Sequence, residues 1–416
     1  MAVSASEGVA VAAIKGSRLN VLKKLFLSST VLGIFLACVP AKAENYGAVQ
    51  SYVHSFNNNV RVFSEVFALN HDLSLETSVY GKYTVDFINP KLGEGEGEGD
   101  HSFTQNSGAR AVAAIAAASS AVSSGGGGRD TRQEIVGGIT HNFNNIVTAD
   151  LGIYYSHESD YSSTAPSISL KKDLFNKNTT LSLAYSRNFD MIHGQYMNGY
   201  QYKKVDNFFG GITQVLSRYT VAQVGYQRTN TSGYLSEGVR LVPLQGVLQS
   251  SCTGVSNTCA EEVFPNNRFR DAFILGISQY LDLPGTYVLD RASIKLTGRK
   301  YKDSWGVQSY TGEIEYNKYI LDDLVMTLNY RHYEQSRAKF DQENYMGTEQ
   351  FLSASPQLKR FKTDLAELKF RYSLKDNPYT SSDSFKIDSV EGKYAFYNES
   401  TDVSANIFMV AIRMAF

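Results

Sequence analysis

The sequence predicts an all-β fold, a transmembrane antiparallel up-and-down β-barrel of about 16 strands, and three observations support it. Segments of about 10 to 14 residues alternate between apolar and polar side chains, as in strands whose two faces meet different surroundings. That length exceeds the five or six residues of a typical soluble strand and suits the roughly 9 to 11 of a tilted membrane strand. Tight turns alternate with longer connections, and the last alternating row ends at Phe416.

The composition excludes several classes of protein. Lys and Arg number 40 against 41 Asp and Glu, a net charge of -1, so the basic surplus that favours nucleic acid is missing and no nucleic-acid partner is expected. A mean hydropathy of -0.25 is too polar for a bundle of membrane helices. The 27 Tyr and 23 Phe fit strand ends and an apolar face, where aromatic rings anchor a barrel at membrane interfaces.

The N-terminus has the pattern of a secretory signal. Basic residues between Lys15 and Lys24 precede an apolar run over 25–39, and Ala41 and Ala43 stand where a signal peptidase reads small side chains. We predict that residues 1–43 are removed, that 44–416 form the barrel, and that the protein resides in the outer membrane of a Gram-negative bacterium. Lipidation at Cys38 is the alternative, which the preceding residues fit poorly.

Two cysteines remain after cleavage, with six residues between them. Export to an oxidising compartment favours a Cys252–Cys259 disulfide, which would shorten the long external loop 231–268. A two-cysteine zinc site is the alternative, although no histidine lies nearby to complete it. No cofactor is expected, because heme-attachment, phosphate-loop and dinucleotide motifs are absent from the sequence.

Strand count follows from the connections. The tight turns are predicted at 70–71, 144–145, 175–178, 217–218, 282–285, 321–323 and 375–384, on the periplasmic side. The longer, external connections are predicted at 87–131, 158–163, 191–205, 231–268, 302–306, 336–359 and 398–401. Both chain ends then lie on the periplasmic side only if residues 46–55 form a first strand, which gives 16 strands. A barrel of 14 strands is the alternative, because residues 46–69 alternate least clearly.

Loop 87–131 has low complexity. Its acidic glycine tract at 93–100 suggests a flexible, solvated segment or, alternatively, a cation-gathering one. Its alanine-rich stretch at 111–122 could form a short helix that is too apolar for open water. We expect this helix to pack inside the barrel or against its rim and to narrow the pore. The glycines at 137–138 and 210–211 lie within predicted strands and indicate close packing or a bend.

The final strand carries an unbroken apolar row, and such a row ending in phenylalanine resembles the assembly signal of bacterial outer-membrane barrels. Its partners would be outer-membrane lipid and the barrel-assembly machinery. The row consists of Phe408, Val410, Ile412, Met414 and Phe416.

Charged residues concentrate on the predicted inward faces of later strands, where neighbouring strands offer opposite signs. They could line a pore that passes small solutes or ions, or form a structural ladder of weak ion pairs. The candidates are Lys295, Arg299, Glu313, Glu315, Arg331, Glu367, Lys369 and Arg371.

A rim enzyme is a further hypothesis. The segment His157-Glu158-Ser159-Asp160 with Ser162 holds the residue types of a hydrolase, but sequence adjacency does not place a base within reach of a nucleophile. We therefore expect no catalytic residues.

Several stretches, similar in order and spacing, resemble a porin-like bacterial outer-membrane barrel family of unknown function. Two departures, the insert at 93–128 and the residues 236–239 before Arg240, mean that no binding role is carried over. The resemblance implies fold and location, and leaves a channel as the leading function, with a sleeve around an exported or redox partner and a rim hydrolase as alternatives. The stretches are 150–161, 181–186, 233–235 with Arg240, Pro265 with Arg268 and Arg270, 303–306 with Ser309 and Thr311, and 330–336.

Overall fold

The computed structural model describes residues 45–58, 60–89, 130–236, 238–374, 381–382 and 385–416. Long antiparallel strands dominate these residues, and two single-turn 3₁₀ helices lie in the connections, at Gln249–Ser251 and Pro356–Leu358. None of the described helices is long and apolar enough to cross a membrane. The strands are β1 Tyr46–Phe56, β2 Arg61–Asp72, β3 Thr77–Asn89, β4 Asp130–Phe143, β5 Val147–His157, β6 Tyr161–Leu174, β7 Thr179–Ile192, β8 Gln201–Ser217, β9 Thr220–Gly233, β10 Leu241–Pro243, β11 Cys259–Glu261, β12 Asn267–Leu281, β13 Ala292–Asp303, β14 Gln308–Tyr319, β15 Leu324–Gln335, β16 Phe361–Ser373, β17 Ser381–Ser382, β18 Phe385–Glu399 and β19 Ser404–Ala415.

The long strands close into a ring. Each long strand pairs with the long strands that precede and follow it in the chain, so that β9 pairs with β12 and β16 with β18 across the short strands between them. The ring closes where β1 pairs with β19 as well as with β2. Short β17 adds only to β18, and β10 pairs with β11 outside the ring. Sixteen described strands therefore form the barrel wall, which confirms the all-β class and 16 strands rather than 14. Closure leaves none of the sixteen described wall strands with an unpaired edge.

The two rims of the barrel differ. At the turn edge lie the short connections 73–76, 144–146, 175–178, 218–219 and 320–323, together with Asn45 and Phe416, whose backbone N–H donates to the Asn45 carbonyl. At the loop edge lie 158–160, 193–200, 234–266, 304–307, 336–360 and 400–403. This is the alternation that the sequence predicted. The acidic tract and alanine-rich stretch of loop 87–131 lie outside the described residues, as do residues 1–44.

Several predicted turn bounds were wrong. Strand β2 continues past 70–71 to Asp72, and Leu73 and Leu75, which alternate like strand residues, lie in the turn. The reason is local, because the Ser74 hydroxyl accepts the backbone N–H groups of Glu76 and Thr77 at 3.2 and 3.0 Å and so stabilises the turn. The connection after β12 is longer than the predicted 282–285 and runs to residue 291, whereas 193–200 is shorter than the predicted 191–205.

The two faces of the wall have different chemistry. One face exposes large apolar side chains such as Leu151, Leu183, Leu275 and Val410. The alternate residues are mostly polar, glycine or small, with a few large apolar ones such as Phe209 and Met409, and most are more covered, as expected on the concave inner face of a closed sheet. The apolar set therefore forms the outer face and the polar set lines the lumen.

Candidate functional site: the barrel lumen

All eight charged candidates lie on the inner face, on β13 to β16. Lys295 stands opposite Glu315 in the register, and Glu313 opposite Arg331. Glu367 of β16 stands opposite Asn329, and Lys369 opposite Thr327. The alternation therefore placed these side chains on one common surface, which is the condition for either a pore lining or a ladder.

The contacts on this wall differ from a simple ladder of the predicted residues. The Asn329 amide donates to Glu313 at 2.9 Å, and the Asn317 amide donates to Glu315 at 2.8 Å. Glu367 forms an ion pair, N–O 3.1 Å, with Lys393 of β18. Lys393 and the two asparagines were missed by the sequence analysis, which considered charge and not amides. The inward parity of their positions would have identified all three.

On the opposite wall a tyrosine packs against two glycines. A Cβ atom added at Gly138 would lie 2.4 Å from the Tyr80 hydroxyl oxygen, and one added at Gly152 would lie 3.0 Å from it. The hydroxyl donates to Asp150 at 3.2 Å, and Thr140 donates to the other oxygen of that carboxylate at 2.9 Å. The predicted close packing at 137–138 is therefore real and belongs to the inward Gly138.

Higher on the same wall, near the loop edge, charged residues are buried together. Arg132 lies 2.6 Å from Glu134 and 3.4 Å from Glu158, and the Tyr154 hydroxyl donates to Glu134 at 3.0 Å. On the neighbouring strands Asp190 accepts a hydrogen bond from Ser163 at 2.7 Å and lies 3.5 Å from Lys203. Charges removed from water are stable only in such paired arrangements.

The residues of the rim hypothesis do not converge. His157 lies on the exposed outer face, and the adjacent Glu158 points inward to the Arg132 ion pair, because consecutive residues of a strand point to opposite faces. Ser162 stands opposite His157 in the register. Among the described residues no hydrogen bond joins His157 to a serine hydroxyl. The segment therefore does not form the base and nucleophile pair that a hydrolase needs.

Three connections at the loop edge pack into one structure, which we call the cap: the described residues of 234–266, 304–307 and 336–360. Trp305 is 5% exposed and meets Phe264 and Phe340 edge-on, with ring centroids 5.4 and 5.3 Å apart. A second apolar cluster joins two of these connections, 234–266 and 336–360, through Val242, Leu244, Tyr345 and Leu352.

A disulfide and a hydrogen bond also stabilise the cap. Cys252 and Cys259 form the disulfide predicted from the sequence, inside 234–266. Glu262 accepts the backbone N–H of Ala354 at 2.8 Å, across the two long connections. These links hold long connections that the sequence had predicted only as loops.

One carboxylate of the cap has an unusual environment. Asp341 is 4% exposed, and its nearest cation, the Arg337 guanidinium, is 3.5 Å away. Burial raises the pKa of Asp341 to about 6, with Arg337 and Lys359 opposing the shift and Glu343 adding to it.

The C-terminal row occupies the outer face of β19. Phe408, Val410 and Ile412 are exposed there, whereas Met414 is buried beside Gly47 of β1. The final strand is thus hydrogen-bonded on both sides, to β18 and β1, while most of its apolar row remains on the outer surface.

Among the described residues, no group of three or more His, Cys, Asp or Glu side chains is close enough to hold a metal ion. No protein of curated function matches the chain. The fold is similar to several solved barrels. OccK1 (OpdK) of Pseudomonas aeruginosa is 8% identical, with a TM-score of 0.43 over 90% of this chain and 98% of that one.

Two other solved structures show similar coverage. A loop-deletion variant of OmpT, an outer membrane protein of Vibrio cholerae, is 10% identical, with a TM-score of 0.41 over 90% of this chain and 98% of its own. A bacterial polysaccharide outer membrane secretin is 6% identical, with a TM-score of 0.48 over 91% and 100%. A family model matches residues 37–205 and 196–389, which together span most of the sequence. The chain therefore belongs to DUF3570, a family of proteins of unknown function.

Proposed function

We propose that this protein is a channel of the bacterial outer membrane that passes small polar solutes or ions. The observation that carries the proposal is the contrast between the two faces of one closed wall. Large apolar side chains cover the outer face, and charged and amide side chains line the lumen. An apolar exterior suits lipid, and a polar interior suits water and dissolved solutes.

The location is part of this proposal. Residues 1–43 direct export and are removed, and the row from Phe408 to Phe416 presents the C-terminal strand to the barrel-assembly machinery. Replacing Phe416 with alanine tests the second step. We expect less folded protein in the outer membrane and an unchanged amount of exported chain.

The eight charged candidates on β13 to β16 carry a net positive charge. The eight charged candidates comprise five basic and three acidic side chains, an excess of two positive charges. A pore lined with an excess of one sign raises the local concentration of the opposite ion. We propose that this part of the wall attracts anions into the lumen.

Reconstitution of the full mature chain into planar bilayers tests both statements. We expect steady single-channel conductance. In a KCl gradient, the reversal potential should have the sign of the chloride equilibrium potential. Lys295→Gln with Arg299→Gln should move that potential toward cation preference, whereas Lys172→Gln on the outer face should leave it unchanged. A folded barrel with no conductance would contradict the channel and favour the alternative of a scaffold or sleeve for an exported or redox partner.

A further inference from the structure

The same side-chain pair recurs on the outer face and reaches from the middle of one strand toward the loop edge of the next. In each copy a tyrosine hydroxyl donates to a polar side chain of the next strand, two residues nearer the loop edge in the register. The pairs are Tyr83 with Gln133 at 3.3 Å, Tyr185 with Asp206 at 2.6 Å, Tyr226 with Asp271 at 2.5 Å, Tyr330 with Asp364 at 2.6 Å and Tyr394 with Asn406 at 2.8 Å.

These pairs mark a chemical boundary on the outer face. On the turn-edge side of the tyrosines most exposed residues are apolar, as Leu183, Ile212 and Leu328 are, and charged ones such as Lys172 return only beside the turns. On the loop-edge side charged residues begin, such as Arg187, which lies 2.6 Å from Asp206. Charges are costly in hydrocarbon, and tyrosine rings prefer the interface. The row of tyrosines therefore lies where the hydrocarbon ends.

On the outer face, on the loop-edge side of these tyrosines, the charge is uneven around the barrel. The arc from β7 to β16 carries seven lysines and arginines against four acidic residues, an excess of three. The rest of the barrel, among described residues, carries one lysine or arginine at this level, Arg61. The basic residues of the arc are Arg187, Lys204, Arg228, Lys300, Lys302, Arg360 and Lys362, and the acidic ones are Asp206, Asp271, Glu334 and Asp364.

Three lysines of the arc supply its excess charge. Lys204, Lys300 and Lys302 are exposed, and none takes part in an ion pair among the described residues, whereas Arg187, Arg228, Arg360 and Lys362 all do. Lys300 lies over the ring of Tyr310, with 5.6 Å from its nitrogen to the ring centroid. Exposed ammonium groups at the end of the hydrocarbon, one of them over an aromatic ring, face the headgroups of the surrounding leaflet.

We propose that this basic arc binds the phosphorylated headgroups of lipids in the leaflet at the loop edge. The proposal rests on the membrane location proposed above and does not depend on conductance. Phosphate oxygens complement the three ammonium groups. A second copy of the chain is a poorer occupant, because two such arcs facing each other would repel.

Native mass spectrometry of the full mature chain in detergent micelles tests this, with a bisphosphorylated glucosamine lipid as probe. Each surface lysine near an anionic headgroup is worth about a fivefold change in affinity, so Lys204→Gln/Lys300→Gln/Lys302→Gln should bind the probe about a hundredfold more weakly. The matched control, Lys172→Gln/Lys177→Gln/Arg218→Gln, removes three charges near the turn edge and should bind within twofold of the native chain.

Equal loss in both variants, or native affinity in the first, would overturn the proposal. So would full competition by millimolar inorganic phosphate, which would assign the arc to free phosphate. Phosphatidylcholine should bind both variants and the native chain equally. Since binding is read without current flow, a barrel that conducts nothing but retains the probe would refute the channel and support the arc.

Discussion

Replacing Phe340 with alanine would remove the ring that joins the connections of the cap. The Phe340 ring lies 5.3 Å from that of Trp305, 5.9 Å from Phe264 and 5.6 Å from Phe351. These neighbours come from three different connections at the loop edge. The ring is half-buried, so its loss would leave a gap that the cap can only partly close.

The size of the effect follows from these contacts. Truncating a fully buried phenylalanine to alanine costs about 3 to 5 kcal/mol, and partial exposure of Phe340 reduces this to about 2 kcal/mol. All three ring contacts lie within the cap. We therefore expect the substitution to lower the free energy of opening of the cap and to leave the stability of the barrel wall unchanged. A loss of about 2 kcal/mol corresponds to about 30-fold more frequent opening.

Two measurements test this expectation. Hydrogen exchange should accelerate about 30-fold in 336–360 and stay unchanged in β13 to β16, and the emission of Trp305, the single tryptophan, should shift to longer wavelength. Phe189→Ala is the control, because that ring is 48% exposed on the outer face. Unchanged Trp305 emission, or equal acceleration throughout the wall, would refute the packing argument.

Three further predictions concern the lumen wall and the cap. Gly138→Ala should destabilise the barrel by about 1 to 3 kcal/mol in urea unfolding, because its Cβ would meet Tyr80. Because the pKa of Asp341 is raised to about 6 in the folded cap, the cap's stability should fall by about 2 kcal/mol as pH rises from 4 to 7, seen as lower protection factors for hydrogen exchange in 336–360. Cys252→Ser with Cys259→Ser should destabilise the cap by about 2 kcal/mol and accelerate proteolysis of 234–266.

Each of the three has a control in the chain. Gly137→Ala should be tolerated, since the nearest atom to its Cβ would be the Tyr80 carbonyl oxygen at 3.7 Å; equal loss at both glycines would contradict the role of the Tyr80 ring. Asp341→Asn should abolish the pH dependence, and a variant that kept it would assign the effect elsewhere. Reduction of the native chain should accelerate proteolysis as much as the double serine substitution does. An unchanged rate of cleavage would contradict a stabilising role for the disulfide.

Much of the wall could be predicted because its signal is periodic. Alternation over long segments gave the inward set, and with it the common face of Lys295, Glu313 and Glu367. It could not give contacts, because a partner is chosen by register and side-chain length. Glu367 thus pairs with Lys393 and Glu313 accepts from Asn329, and neither partner was among the candidates.

The sequence by itself determined the barrel class, a count of about 16 strands and the inward face of the eight charged candidates, because strand period and length are local properties of the chain. Only the tertiary structure decided that Trp305 unites three distant connections, that Tyr80 lies on Gly138, and that five outer-face tyrosines donate to polar side chains of the next strand. Each of these depends on strand register or loop packing, which brings side chains of different strands and connections together. Local periodicity has no information about such contacts.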